Sequence, residues 1–323
     1  QVGVGTLYDV NYGTGFLVSH YNNASNWDMR KFGFLIDFNF PALTIEGISS
    51  NLLDEELLAG RVGFIPFHQV NNSMFNSLEL GVTAFREMDP NPNDWGAGPK
   101  PSNDNLSAMG LDVAFSPVRS NGFQWKIFAE YAGFEGHGDG HGYGTLLHMP
   151  KLTSMIDLEV LYELRFVNEQ FIPGFVNPAY ELNRMRSPGL RSMLDTAPSG
   201  SSHFTQVHTQ ILENINLMAN YSTPVSDSSF GTFMAEAQVP DFFDPISLSA
   251  NYTRAHMSSI GEFADLDENS VLRATADWRL SSLLYLSLLY RIHWIEKENP
   301  ATGVKDYEKQ DTFRPQLTLR WQF

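Results

Sequence analysis

Apolar and polar residues alternate one by one over long stretches of this chain. In 271–280, Leu272, Ala274, Ala276, Trp278 and Leu280 alternate with Arg273, Thr275, Asp277 and Arg279. In 283–294, Leu284, Leu286, Leu288, Tyr290, Ile292 and Trp294 oppose Tyr285, Ser287, Leu289, Arg291 and His293. The same rhythm sets Ile246, Leu248, Ala250 and Tyr252 against Ser247, Ser249, Asn251 and Thr253. Upstream it recurs in 32–40, 123–131 and 156–166. A period of two predicts strands with one oily and one wet face, not helices. Weaker runs at 1–9, 14–22, 43–51, 58–67, 75–87, 106–116, 143–152, 203–221 and 229–239 bring the expected total to about 16 strands, within about 14–18.

The connections predicted between these runs differ in length. Short turns fall near Pro41 and at 68–73, 117–122, 152–154, 240–244 and 281–282. Longer loops fall at 23–29, 52–57, 88–105, 134–142, 168–201, 257–269 and 295–310. The strand count leaves 168–201 on conflicting sides unless 201–221 holds two strands or 222–228 is not a simple hairpin loop. An upstream N-terminal strand beyond this sequence is the matching expectation at the other end. No internal repeat and no separate soluble module is visible, so 1–323 reads as one domain.

The last residues, Asp311–Phe323 (DTFRPQLTLRWQF), put Leu317, Leu319, Trp321 and Phe323 on one face. This segment resembles the terminal strand of bacterial outer-membrane β-barrels, whose assembly machinery reads a C-terminal aromatic residue. Taken with the alternating strands and unequal loops, the chain resembles porin-type outer-membrane proteins. The resemblance implies an all-β fold, a closed antiparallel transmembrane barrel, and those four residues as an assembly signal. Lipid, lipopolysaccharide, the barrel assembly machinery and other envelope proteins or lipoproteins are the partners it implies. The segment Gln170–Arg184 (QFIPGFVNPAYELNR) is similar to a Pro/Gly-rich loop of uncharacterised envelope barrels, which carries no known activity.

Composition narrows the alternatives. There is no Cys in 323 residues, so disulfides and thiolate metal sites are ruled out. A net charge of −16 disfavours a nucleic-acid partner. Mean hydropathy is −0.23 and no apolar run reaches helical membrane-span length. Barrel strands need only about 10 residues and alternate, so they escape that test. Long strands, aromatics toward the strand ends and both signs of charge on the wet faces favour a membrane barrel over a soluble sandwich.

The wet faces are expected to point into a lumen. They carry Asp37, Glu46, Glu79, Asp112, Glu130, Asp157, Glu159, Glu163, Glu236 and Asp277. The cations assigned with them are Lys31, Arg61, Arg86, Lys126, Arg165, Arg254, Arg273, Arg279 and Arg291. Rings of charge tune selectivity in pores, whereas mixed sets brace a filled interior. Two functions lead, ahead of a third reading as a barrel enzyme or a carrier for hydrophobic compounds. One is passive or weakly selective diffusion of small hydrophilic solutes or ions. The other is a non-conducting barrel that anchors an envelope complex. No cofactor is expected, apart from a candidate weak divalent metal at His137, Asp139 and His141 in EGHGDGHGYG. The structural alternative there is a glycine-rich external loop. Acidic runs at 54–56 and at Asp265, Asp267 and Glu268 have Ca²⁺-ligand chemistry, but read better as solvated loop charge. Ser202 with His203, and Ser258 near His256, supply residue types for hydrolysis. No nucleophile elbow or HExxH surrounds them, so an enzyme is not expected.

Overall fold

In the computed structural model, the described residues are all except 6, 8, 24–30, 54–55, 72–73, 91–104, 179, 185–188, 213, 226–230, 244, 282–283, 299–304 and 320–323. They form an all-β protein of sixteen antiparallel strands in one sheet, ordered as in the sequence from β1 to β16. The strands are β1 (Val2–Gly5), β2 (Gly33–Asn39), β3 (Leu43–Ser49), β4 (Leu57–Phe64), β5 (Glu79–Glu87), β6 (Leu106–Arg119), β7 (Gln124–Phe134) and β8 (Asp139–Thr153). They continue as β9 (Ile156–Val167), β10 (Gly200–Ile211), β11 (Ile215–Pro224), β12 (Gly231–Phe243), β13 (Ile246–Met257), β14 (Ser270–Arg279), β15 (Leu284–Glu298) and β16 (Lys305–Leu319).

The expected number of strands holds through two compensating differences. The stretch 14–22 is not a strand. Its Phe16, Leu17, Val18 and Tyr21 are all buried, which a one-sided strand does not allow. The stretch 203–221 is instead two strands, β10 and β11, joined through 212–214, which removes the conflict over the placement of 168–201. The expected loop at 295–310 is also corrected. β15 runs on to Glu298 and β16 starts at Lys305, in register from Glu298↔Lys305 to Leu284↔Leu319. That extension is charged on both faces, so it lacks the apolar rhythm that betrays a strand.

Connections leaving even strands are mostly tight, as at 40–42, 120–123, 154–155 and 212–214. Those leaving odd strands hold the long segments 6–32, 88–105 and 168–199. The last of these carries two short helices, α1 (Tyr180–Arg184) and α2 (Gly189–Asp195).

The chain forms two compact units. Unit 1 comprises Gln1–Arg119, Trp125–Thr145 and Glu163–Ser201. Unit 2 comprises Ser120–Gln124, Leu146–Tyr162 and Ser202–Phe323. In unit 1 one sheet face is covered. The segments 7–23 and 168–199 bond to each other through Gly174 N–H to Phe16 O (2.8 Å), Val176 N–H to Leu17 O (3.0 Å) and Ser19 N–H to Val176 O (2.8 Å). Phe175 of the second segment stacks on Phe85 of β5 and meets Phe134 of β7 edge-on. Every member of the buried apolar cluster among the described residues belongs to unit 1.

The opposite face of unit 1 is exposed and apolar. Leu58, Val62 and Phe64 on β4, Leu80 and Val82 on β5, and Met109, Leu111 and Val113 on β6 lie there. Unit 2 keeps the same division. Leu217, Trp278, Leu288, Phe313 and Leu317 are exposed on its apolar face. The registers Asn216↔Gln238, Glu236↔Asn251, Asn251↔Arg273 and Arg273↔Arg291 align its polar face.

Candidate functional site: the polar strand faces

Three polar clusters stand on the covered face of unit 1. The first centres on Arg61 of β4. The registers Asp37↔Glu46, Glu46↔Arg61 and Gly81↔Asp112 align Asp37, Glu46 and Asp112 on nearby strands of the same face, with Glu79 on β5. Its guanidinium meets Glu79 and Asp112 at 2.8 Å each and Glu46 at 3.5 Å. A Cβ on Gly81 would lie 2.5 Å from the Arg61 Nη2 atom, so only glycine lets the guanidinium cross that strand.

The second cluster ties α1 to the strand ends. Arg184 reaches Glu56 (2.9 Å), Glu87 (3.6 Å) and Glu181 (3.7 Å), and its Nε donates to the Asp89 carbonyl (2.8 Å). Lys31 pairs with Glu56 and Glu181. Tyr180 donates to Glu87 (2.8 Å) and Tyr21 donates to Glu181. Burial, and then the carboxylates beside them, hold both phenols well above the usual tyrosine value.

The third cluster holds Glu130 and Glu163. Thr14 donates to Glu130, and Arg165 Nε donates to Glu163 at 2.8 Å. Glu163 is wholly buried because β8 is glycine there. A Cβ on Gly142 would lie 2.1 Å from its Oε1, and one on Gly144 would lie 2.1 Å from the Phe128 ring.

This explains the Gly/His tract otherwise than by metal. Gly138, Gly140, Gly142 and Gly144 face the packed side, and the structure does not bring the tract's ligand-type residues together. His137 lies 3.2 Å from Asp195. Asp139 accepts from Tyr131 (2.8 Å) and Asn168 (2.5 Å). His141 stacks on Phe166. Among the described residues no group of three or more His, Asp or Glu side chains is placed to hold a metal ion.

In unit 2, Asp157 meets His148 at 2.9 Å, Ser287 donates to Asp277 (2.5 Å), and Gln238 donates to Glu236 (2.5 Å). Arg273, Asp277, Glu236 and Arg291 line the polar face half-buried, and Arg279 ends β14 exposed. Glu159 and, in unit 1, Lys126 keep the polar-face parity.

Two assigned cations need correction. Arg86 is exposed on the face of Leu80 and Val82, because it is an odd number of residues from the buried Glu87 and Phe85. Arg254 shares the parity of Tyr252, not of Asn251. It is buried beneath the loop after β13, where Asp267 holds it bidentately at 2.8 Å and the Asp265 carbonyl accepts a third bond. The irregularity between Gly231 and Phe233 of the partner strand accompanies that placement. Asp265 and Asp267 thus brace a loop. Asp54 and Glu55 lie outside the described residues, as do Trp321 and Phe323 of the terminal signal. Leu317 is exposed on the apolar face, and Leu319 pairs through its backbone with Leu284.

The hydrolase-type residues do not assemble. His203 takes a 2.7 Å hydrogen bond with the Tyr162 hydroxyl, and its neighbour Ser202 has the opposite parity. Ser258 donates through its hydroxyl and its N–H to Glu262, which lowers that carboxyl from its usual value. The missed residues are the apolar ones, Phe16, Phe171, Phe175 and Tyr180. The aromatic density of 168–180 hints at Phe171, Phe175 and Tyr180, and nothing in the sequence singles out Phe16.

No family model matches the chain, and no curated protein matches it. Solved structures with a similar course of chain include a ferric enterobactin receptor from Pseudomonas aeruginosa. It is 11% identical, with 90% of this chain and 46% of that one covered and a TM-score of 0.39. A siderophore receptor from Acinetobacter baumannii is 8% identical, with 98% and 58% covered and a TM-score of 0.36. A FadL homologue from Pseudomonas aeruginosa is 10% identical, with 98% and 86% covered and a TM-score of 0.29. The chain spans about half the length of the two receptors. Function has to be read from the chain's own residues.

Proposed function

We propose that the chain is an outer-membrane β-barrel that passes small hydrophilic solutes or ions along the polar face of unit 2. The observation that carries this is the contrast between its two faces. Trp278, Leu288, Phe313 and Leu317 stand exposed on one side, while Asn251, Arg273, Asp277 and Arg291 share the other. Hydrocarbon accepts the first face and water the second. A sheet with its apolar face in lipid must close on itself, since hydrocarbon offers no partner to a free edge. Among the described residues unit 2 adds no member to the buried apolar cluster, and Asn251, Arg273, Asp277 and Arg291 are half-buried rather than enclosed, which supports a wet polar face.

Planar-bilayer recording of the purified protein tests the reading. Stable ohmic steps are expected. Silence from protein that is correctly inserted overturns it in favour of a second reading, a non-conducting barrel that anchors other envelope proteins. The packed covering of unit 1 by 7–23 and 168–199 is what favours that second reading.

A further inference from the structure

The connections leaving even strands are tight with one exception. The segment 65–78, between β4 and β5, is long, and the chain has no Asp, Glu, Lys or Arg from Val62 to Leu78. The segment is nonetheless fastened to the sheet. Ile65 N–H donates to the carbonyl of Ala42 in the neighbouring tight turn (2.8 Å). Phe75–Ser77 forms a single 3-10 turn, and the Ser77 hydroxyl accepts from Ser116 N–H of β6 (2.8 Å).

This connection is inside out for a turn in water. Phe67, Val70, Met74 and Phe75 are 44%, 42%, 46% and 55% exposed. His68 and Asn76 are half-buried, and the His68 Nδ1 and Asn76 Oδ1 atoms are buried with no hydrogen-bond partner among the described residues. Water would favour the reverse, hydrating the polar groups and covering the apolar ones. Gln69 and Asn71, also exposed, carry no charge.

A second observation is continuity with the apolar face of unit 1. The registers Phe38↔Ile45, Ile45↔Val62, Val62↔Val82 and Val82↔Leu111 form one row of that face. Leu43↔Phe64, Phe64↔Leu80 and Leu80↔Val113 form the row nearer the turn. The segment leaves β4 directly after Phe64 and enters β5 just before Leu80, so its exposed apolar residues begin where that face ends.

We propose that 65–78 is an interfacial foot, with Phe67, Val70, Met74 and Phe75 set into the boundary between phospholipid headgroups and acyl chains. Outer-membrane barrels have their short turns on the periplasmic side, which makes this the inner leaflet. Aromatic side chains favour that depth, and an uncharged segment enters it without desolvating an ion. A protein partner is the competing occupant, but the segment offers it no charge to pair with, whereas phospholipid needs none. The inference rests on the membrane-barrel reading, and its test separates the two.

The chain has no Cys, so an introduced cysteine carries a single NBD fluorophore. Val70→Cys, Phe75→Cys, Leu111→Cys on the apolar face of β6 and Asp195→Cys on α2 are labelled and reconstituted into phosphatidylethanolamine–phosphatidylglycerol vesicles. Quenching is read with doxyl phospholipid, labelled near the glycerol or at mid-chain, and with iodide on both sides of the bilayer. The Val70→Cys and Phe75→Cys labels are expected to lose intensity most to the shallow doxyl group and to resist iodide. The Leu111→Cys label is expected to be quenched by doxyl lipid, and the Asp195→Cys label by iodide alone. If the Val70→Cys and Phe75→Cys labels behave like Asp195→Cys while Leu111→Cys is quenched by lipid, the foot is overturned and the membrane barrel stands. If the Leu111→Cys label also answers to iodide alone, the apolar faces do not meet lipid and both readings fail.

Discussion

Two tyrosines decide how the covering segment of unit 1 responds to pH. Tyr180 on α1 donates to Glu87, and Tyr21 donates to Glu181, so each phenol must stay protonated to hold its carboxylate. Both titrate well above the usual tyrosine value near 10. A group whose folded value is raised contributes stability that is complete below the unfolded value and is lost as pH rises through the folded one. The segment 168–199 is therefore expected to resist limited proteolysis at neutral pH and to open only above about pH 10. Tyr180→Phe removes the donor to a fully buried Glu87, so cleavage then appears at neutral pH. Destabilisation is about 1–3 kcal/mol, the cost of an unsatisfied buried acceptor. Equal protection of wild type and variant across that range would show that this hydrogen bond does not hold the segment.

The strands themselves show why some of this was readable and some was not. Runs such as 271–280 and 283–294 announce themselves because each side chain meets a single environment, lipid-like or polar, for the whole length of the strand. Where that rule lapses the reading fails. Phe16, Leu17 and Val18 run consecutively and are all buried, so the segment is covered on both sides and is no strand. The extension of β15 and β16 beyond Trp294↔Lys309 carries charged residues at both parities, so its sequence reads as a loop. Arg254 was misplaced by a single step of parity, hidden by the irregular pairing with β12. The charged clusters were legible as wet-face residues but not as clusters, because their members meet only across registers such as Glu46↔Arg61. The same strands give a direct test of which face meets lipid. Trp278 is 50% exposed on the apolar face, while Arg273 of the same strand stands on the polar face. Trp278→Arg is expected to impair membrane assembly, with a charge in hydrocarbon costing roughly 2–4 kcal/mol at the midplane and less near its edge. Arg273→Ala is expected to assemble normally, scored by heat-modifiable gel mobility of membrane fractions. Equal tolerance at the two sites would reverse the assignment of faces.

At the scale of the whole molecule, an apolar filling in unit 1 coexists with a half-exposed polar face in unit 2, and the two features pull toward opposite functions. Arg184 is the residue through which they can be separated. It joins α1 to Glu56, Glu87 and the Asp89 carbonyl, and among the described residues Lys31 shares the work of balancing Glu56 and Glu181. Arg184→Leu keeps an apolar stem of similar bulk but strands buried carboxylates, a loss of about 3–5 kcal/mol for breaking such a pair. That is enough to release a short helical segment without unpairing the strands, whose backbone ladders do not involve it. Undocking should appear as new protease cleavage within 168–199 while the sheet keeps its β-type circular dichroism. If this segment limits passage, single-channel conductance of Arg184→Leu rises above that of the wild type in matched bilayers. If the segment is cleaved readily and conductance does not change, the covering is a structural filling, and the restriction on passage has to lie along the polar face of unit 2.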